Sequence, residues 1–264
     1  MKITVLMENT AQRCDMAAEH GLSLLIRTKA HTILFDMGQS DAFARNAQAL
    51  GIDLKEVDIA VLSHGHYDHG GGLQTFLDIN EHACVYLSRH AFGEYYHGPD
   101  KYIGLAKALK QSARLRYVAE DLIIDDELSL HACNDRPVIC PTDAFGLSEM
   151  RSGTHMPDRF LHEQYLQICE DGKTVLISGC AHKGVVNIAH WFRPDVLVGG
   201  FHLAKLDPVN PEHRERLTQT AHALLSSGGT YYTGHCTGAP AYAFLKDRMN
   251  ERLHALSTGM TFEI

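Results

Sequence analysis

The segment Ser63-His64-Gly65-His66-Tyr67-Asp68-His69-Gly70-Gly71-Gly72, entered directly from the apolar run Asp58 to Leu62, limits this chain more than any other feature. Four metal-competent side chains, His64, His66, Asp68 and His69, fall within six residues and have glycines on both sides. A helix repeats every 3.6 residues and cannot turn positions 64, 66, 68 and 69 to one face. A tight loop between a strand and a helix can. Imidazole and carboxylate together suit zinc and other borderline divalent ions. The competing reading is a polar surface turn that happens to be rich in histidine; the metal reading is the stronger.

Around this loop the hydrophobic period switches between two and 3.6. Lys2 to Met7, Ser23 to Ile26, Thr32 to Phe35, Asp58 to Leu62 and Ala83 to Leu87 read as strands, and Asp41 to Leu50 and Leu73 to Ile79 as helices. Ser40 or Asp41 is available to cap the first helix, and Gly51 stops it. From about Arg89 to Asp158 the pattern weakens. A helix is expected over Tyr102 to Gln111 and short strands near Leu115 to Val118 and Leu122 to Ile124, with prolines and glycines breaking the rest into loops. This stretch reads as an elaboration. Alternation then resumes with strands at Tyr165 to Cys169, Thr174 to Ser178, Val196 to Val198, Tyr231 to Thr233 and Met260 to Ile264. Helices are expected at Val185 to Phe192, Pro211 to Ser226 and Ala241 to Asn250. The order is β-rich at first and then alternating, as in an α/β fold, and the expectation is a single domain over residues 1–264.

Composition narrows the function classes. With 45% hydrophobic and 21% charged residues over 264 positions, the chain can bury a sizeable core and disorder is excluded. The 24 basic and 32 acidic residues give a net charge of -8, so neither nucleic acid nor an anionic membrane is an expected partner; a small molecule is. No run approaches the roughly 18 apolar residues of a membrane span, and Met1 to Thr10 reads as a strand and not a leader, which points to a soluble cytoplasmic protein. Seven cysteines without a Cys-x-x-Cys pair read as reduced thiols.

The His-x-His-x-Asp-His loop after a strand resembles that of the metallo-β-lactamase superfamily of hydrolases. Asp36 matches the early acidic residue that supports the metal loop there, and His182 and His235, each closing an apolar strand near glycine, match the later histidines. The resemblance implies a four-layer αβ/βα sandwich of two mixed sheets flanked by helices. It implies His64, His66 and His182 on one metal and Asp68, His69 and His235 on a second, with zinc as the ion, one or two per chain, and manganese as the alternative. Gly199-Gly200-Phe201-His202-Leu203, Gly179-Cys180-Ala181-His182 and Thr233-Gly234-His235-Cys236-Thr237-Gly238 are similar to a branch labelled by 7,8-dihydropterin-6-methyl-4-(β-D-ribofuranosyl)-aminobenzene-5'-phosphate synthase. Glu8 and Glu163-Gln164 also belong to that pattern, with a place facing the site or at a solvated strand end.

One departure matters. The superfamily places a metal-bridging Asp at the end of a strand between the last two histidines, whereas Val196 to Leu203 contains none and Asp207 lies five residues beyond His202. A neutral imidazole has one lone pair and cannot replace a bridging carboxylate. His202 is then a terminal ligand, a substrate anchor or the general acid, the acid role being the first choice. Cys180 and Cys236 are expected to pack behind the metal in preference to binding it. The implied activity is attack by a metal-held hydroxide, oriented by Asp68, on a small ester, a phosphoester or a pterin-like molecule. A lining for an anionic or phosphorylated substrate is sought in Arg89, His90, Tyr95, Tyr96, Tyr102 and Arg151. The alternative is a non-catalytic binding or sensor protein that keeps the metal as a staple. A di-iron oxygen- or nitric-oxide-reducing centre is disfavoured by His66, where such centres carry Glu, and a nuclease by the charge.

Overall fold

The structure is a computed structural model that describes all residues, 1–264. Strands with apolar residues on both faces need cover on both sides, and the chain supplies it in four layers. One seven-stranded sheet runs, edge to edge, Thr261–Glu263, Lys2–Met7, Ser23–Arg27, Thr32–Phe35, Ile59–Val61, Cys84–Ser88 and Leu115–Val118. A second runs Leu253–Ala255, Thr230–Thr233, Val196–Val198, Lys173–Ile177, Tyr165–Glu170, Leu128–His131 and Asp121–Ile123. Both are mixed: hairpins pair antiparallel, and the strands joined through helices pair parallel.

The period-two pattern explains the layering. In Ser23–Arg27, Leu24 and Ile26 face the other sheet, and Leu25 faces the helices Ala42–Ala49 and Leu73–Ile79. In Lys173–Ile177, Val175 and Ile177 enter the same inter-sheet core, while Leu176 packs under Val185–Phe192, Pro211–Ser227 and Ala239–Met249. Three cores result: helix on sheet, sheet on sheet and sheet on helix. This is the αβ/βα sandwich expected from the sequence. Ser40 Oγ, not the Asp41 side chain, accepts from the Ala42 N–H to start the first helix, and Asn210 caps Pro211–Ser227 through the Glu212 and His213 N–H groups.

Within 89–158 the structure departs from expectation. Leu115–Val118 and Asp121–Ile123 are edge strands of the two main sheets, Leu128–His131 lies just inside the second of these edges, and none of the three is part of an added module. Tyr95–His97, Lys101–Tyr102, Leu147–Arg151 and Thr154–Pro157 form a small separate sheet. The expected helix at Tyr102 to Gln111 is replaced by strand, then loop, then a 3-10 turn at Lys107–Gln111. Ile103 O accepts from the Tyr67 N–H and His66 bridges to Gly104, so pairing with the metal loop overrides local helical spacing.

At the far side of the sandwich, His31 ties the two sheets together: Nε2 lies 2.7 Å from Asp125 Oδ2 and Nδ1 lies 3.2 Å from Asp58 Oδ2. Burial lowers the affinity of the ring for a proton, but the two carboxylates more than offset it and His31 titrates above its ordinary value. Burial likewise raises Asp125, and the Glu127 and Leu128 N–H groups with His31 bring it below its ordinary value. A raised imidazole stabilises the fold below about pH 6.5 and loses that contribution as pH rises through its folded value; a depressed carboxyl contributes above about pH 4 and loses it on acidification. His31→Asn should therefore lower urea stability by about 0.5–1 kcal/mol near pH 5.5, and by less near pH 8.5, the pair being partly solvent-screened. A loss that grows towards alkaline pH would rule out this ion-pair account.

Candidate metal centre

The site forms where the carboxyl ends of strands from both sheets meet at one edge of the sandwich. Ile59–Val61 feeds the loop with His64 and His66 and the single helical turn Tyr67–Gly70 that carries Asp68 and His69. Lys173–Ile177 feeds His182, Val196–Val198 feeds His202, and Thr230–Thr233 feeds His235. The loops approach so closely that side chains are excluded at some positions. A Cβ at Gly71 would stand 2.3 Å from the Gln39 carbonyl, and Gly179, at φ +62°, would place one 2.4 Å from Ser63 Oγ. Asp36, Ala181, His202 and His235 also take positive φ, a conformation costing about 1 kcal/mol or more for each residue.

Three buried carboxylates hold the ligand-bearing loops by their backbone. Asp36 Oδ1 accepts from the Ser63 N–H at 2.7 Å, and its Oδ2 takes Ser63 Oγ and His69 Nδ1, each at 2.7 Å. Glu163 accepts from the N–H groups of His182 at 2.7 Å and Lys183 at 3.0 Å, and from the Tyr165 hydroxyl at 2.7 Å. Glu8 accepts from the His235 N–H at 2.6 Å and the Thr10 N–H at 2.7 Å. Glu8 and Glu163 thus clamp loops from behind and neither face the site nor end solvated strands. Gln164 does the same, donating to the Leu62 and Tyr86 carbonyls.

These clamps also fix tautomers. Ser63 Oγ has one proton, which it gives to Asp36, so His64 Nδ1 at 2.7 Å must donate to Ser63 and leave a lone pair on Nε2. His69 Nδ1–H donates to Asp36. His235 Nδ1–H donates to Asn9 Oδ1 at 2.9 Å, an oxygen that also accepts from the Gly21 N–H. The Nε2 atoms of these rings are therefore the ones free to face inward, and each second nitrogen is anchored as metal-binding histidines require.

Two groups of donors converge. His64, His66 and His182 form one, with Nε2 of His64 and His182 3.3 Å apart. In the other, Asp68 Oδ2 lies 3.3 Å from His235 Nε2 and 3.8 Å from His69 Nε2, and those two nitrogens are 3.2 Å apart. A tetrahedron of zinc–nitrogen bonds has an edge of about 3.3 Å, which the His64–His182, His69–His235 and Asp68–His235 spacings match. Burial drives His64 and His182 well below the usual imidazole range, which keeps them neutral. Burial alone would raise Asp68, but His69, His20 and His235 hold its carboxyl well below its ordinary value. His69, lowered by burial and raised more by Asp36 and Asp68, sits at about 9.

Sequence reasoning missed several neighbours. Asp158 Oδ2 lies 3.9 Å from His66 Nε2, a buried atom without a hydrogen-bond partner, and 3.1 Å from His162 Nε2. His162 Nδ1 in turn accepts from the Gly65 N–H at 2.9 Å. His20 Nε2 approaches Asp68 Oδ2 to 3.3 Å from the solvent side. Nothing in their local spacing marks these residues. His202 stands beside the donors and not among them: its ring centroid is 4.3 Å from that of His182, and its buried Nε2 has no partner. Asp207 is exposed and caps the Val209 N–H.

A cavity of about 620 Å³ opens onto the donors, its walls including Tyr67, His97, Lys101, Ile103, Phe145 and Lys205. The expected lining residues lie elsewhere. Arg89 pairs with Glu120 and Arg151 with Glu149, Tyr95 is buried against the His162 ring, and Tyr96 packs on Tyr102 and His155. His90 bonds to Arg89.

An uncharacterized protein of Methanocaldococcus jannaschii is 29% identical over 259 residues, covering 94% of this chain and 95% of its own. The 7,8-dihydropterin-6-methyl-4-(beta-D-ribofuranosyl)-aminobenzene-5'-phosphate synthase of the same organism is 28% identical, covering 97% of this chain and 95% of its own. The crystal structure of Tm1679, described as a metal-dependent hydrolase of the beta-lactamase superfamily, superposes with a TM-score of 0.80 at 28% identity, covering 100% of this chain and 99% of that one. No helix is long and apolar enough to cross a membrane. Residues 17–235, which run from before Asp36 through His235, match the metallo-beta-lactamase superfamily, and the chain belongs to that family.

Proposed function

We propose that the protein is a metal-dependent hydrolase acting on a small anionic ester or phosphoester, with zinc as its ion. The observation that carries this reading is the convergence of two buried donor groups, with the tautomers of His64, His69 and His235 fixed by second partners, on the floor of one cavity. His64, His66 and His182 would hold one ion and Asp68, His69 and His235 the other. Bound there, the ions would supply hydroxide near neutral pH and neutralise charge developing on the substrate oxygens.

The chain's own groups complete the chemistry. Asp68, kept ionised, accepts a hydrogen bond from the attacking water and so orients it. Lys101 and Lys205 at the rim attract an anionic group and, with His97, fix its position. Phe145, Leu147 and Ile103 exclude water beside it, which strengthens each of these charge contacts. His202, with an unpartnered Nε2 at the cavity wall, protonates the leaving oxygen. The name of the M. jannaschii synthase makes a pterin-related phosphate one member of the substrate panel.

Elemental analysis of protein purified without added metal should find about two equivalents per chain. Chelation should abolish turnover of phosphoesters and carboxylic esters, and zinc should restore it. Tight ligand binding without turnover, unchanged by chelation, would favour the non-catalytic sensor instead. His202→Ala should keep its metal but lose about 10²-fold or more in kcat on substrates with poor leaving groups, and much less on nitrophenyl esters. Loss of an ion in that variant would make His202 a ligand.

A further inference from the structure

We infer that Cys180 supplies a thiolate shared by the two ions, in the place of the carboxylate absent from Val196 to Leu203. The inference rests on the metal-centre reading above and concerns which atom joins its two halves. A shared ligand must lie within reach of donors from both groups and must offer more than one lone pair. Cys180 Sγ meets the first condition: it is 3.1 Å from His69 Nε2, clusters with His64 of the first group, and clusters with His235 of the second. A thiolate meets the second, whereas an imidazole does not. The sulfur is buried.

The neighbouring Cys236 is differently committed. Its thiol donates to the Cys180 carbonyl at 3.4 Å and its sulfur accepts from the His202 N–H at 3.3 Å, while a Cβ at Gly200 would stand 2.4 Å from it. It clusters with Cys180 and His235 but with no donor of the first group, so it does not span the two halves. The Cys180 thiolate forms when the thiol proton leaves to solvent on metal binding, so charge and atoms balance without an oxidant. A soft sulfur in the donor set also selects zinc over manganese or magnesium.

Zinc K-edge absorption of the wild-type protein tests this without a variant. It should show sulfur at about 2.3 Å alongside the nitrogen and oxygen shell. Cobalt substitution should give a thiolate-to-metal charge-transfer band that is lost in Cys180→Ala, retained in Cys236→Ala and absent again in Cys180→Asp. Cys180→Ala should lose about one equivalent of metal and Cys180→Asp should regain it, a carboxylate restoring the bridge. A nitrogen and oxygen shell without sulfur, or a band that survives Cys180→Ala, would overturn the thiolate while leaving the metal centre standing. Wild-type protein that takes up neither zinc nor cobalt would overturn both.

Discussion

His182→Ala is expected to lose at least one bound ion and about 10³-fold or more in hydrolysis, yet to remain folded. The reason lies in how the loop is held. Glu163 grips the N–H groups of residues 182 and 183, contacts that do not use the imidazole. The deleted ring's Nδ1 has no hydrogen-bond partner, so no buried group is orphaned on that side. What is lost is one donor and a stack on Phe160 at 4.4 Å. That costs about 1–2 kcal/mol, which lowers the thermal midpoint of the metal-free protein by about 2–6 °C. Metal analysis, steady-state rates and melting of both metal-free proteins settle the matter. Near-wild-type metal and rate in His182→Ala would remove this residue from the centre.

Asp36 is the second position of large effect, and two substitutions separate its roles. Asp36→Ala removes the acceptor of three buried donors, the Ser63 N–H, the Ser63 hydroxyl and His69 Nδ1–H. Stranding them should cost about 3–5 kcal/mol of stability. Asp36→Asn should cost much less, since its oxygen can still take the Ser63 N–H. Its amide then faces His69 Nδ1 as a donor, which forces the imidazole proton onto Nε2, the nitrogen that points at Asp68 and His235. A folded protein with about 10–100-fold weaker affinity at the second ion is the expected result. Isothermal titration of zinc into the apoprotein reads it directly. Equal affinity for wild type and Asp36→Asn would mean that this carboxylate does not set the tautomer.

How much could be read from the sequence depended on whether the signal was contiguous. His64, His66, Asp68 and His69 share one loop, and His182 and His235 follow apolar strands, so a linear pattern exposes them. Asp158, His162 and His20 reach the site only through the fold, at separations of 97 residues for the Gly65 to His162 contact and 48 for His20 to Asp68. Glu8 and Glu163 were visible as residues, but their direction was not, because a strand-end carboxylate looks the same whether it faces a ligand or a backbone amide. The inter-sheet core was legible from period-two alternation in strands such as Ser23–Arg27. Lys101–Tyr102 was not, since a two-residue strand has no period and its neighbour Gly104 is fixed by pairing with His66.

The three carboxylate clamps bear on how metal loading relates to folding. Each anchors a loop through amide protons that belong to the chain itself, so the cost in conformational entropy of shaping the cage is met when the sheets assemble. An incoming ion exchanges its hydration shell for donors already in position, and its affinity is not reduced by ordering a segment. Apoprotein and holoprotein should accordingly share one hydrogen-exchange pattern across these loops. Such a cage can be emptied and refilled many times without passing through an unfolded chain.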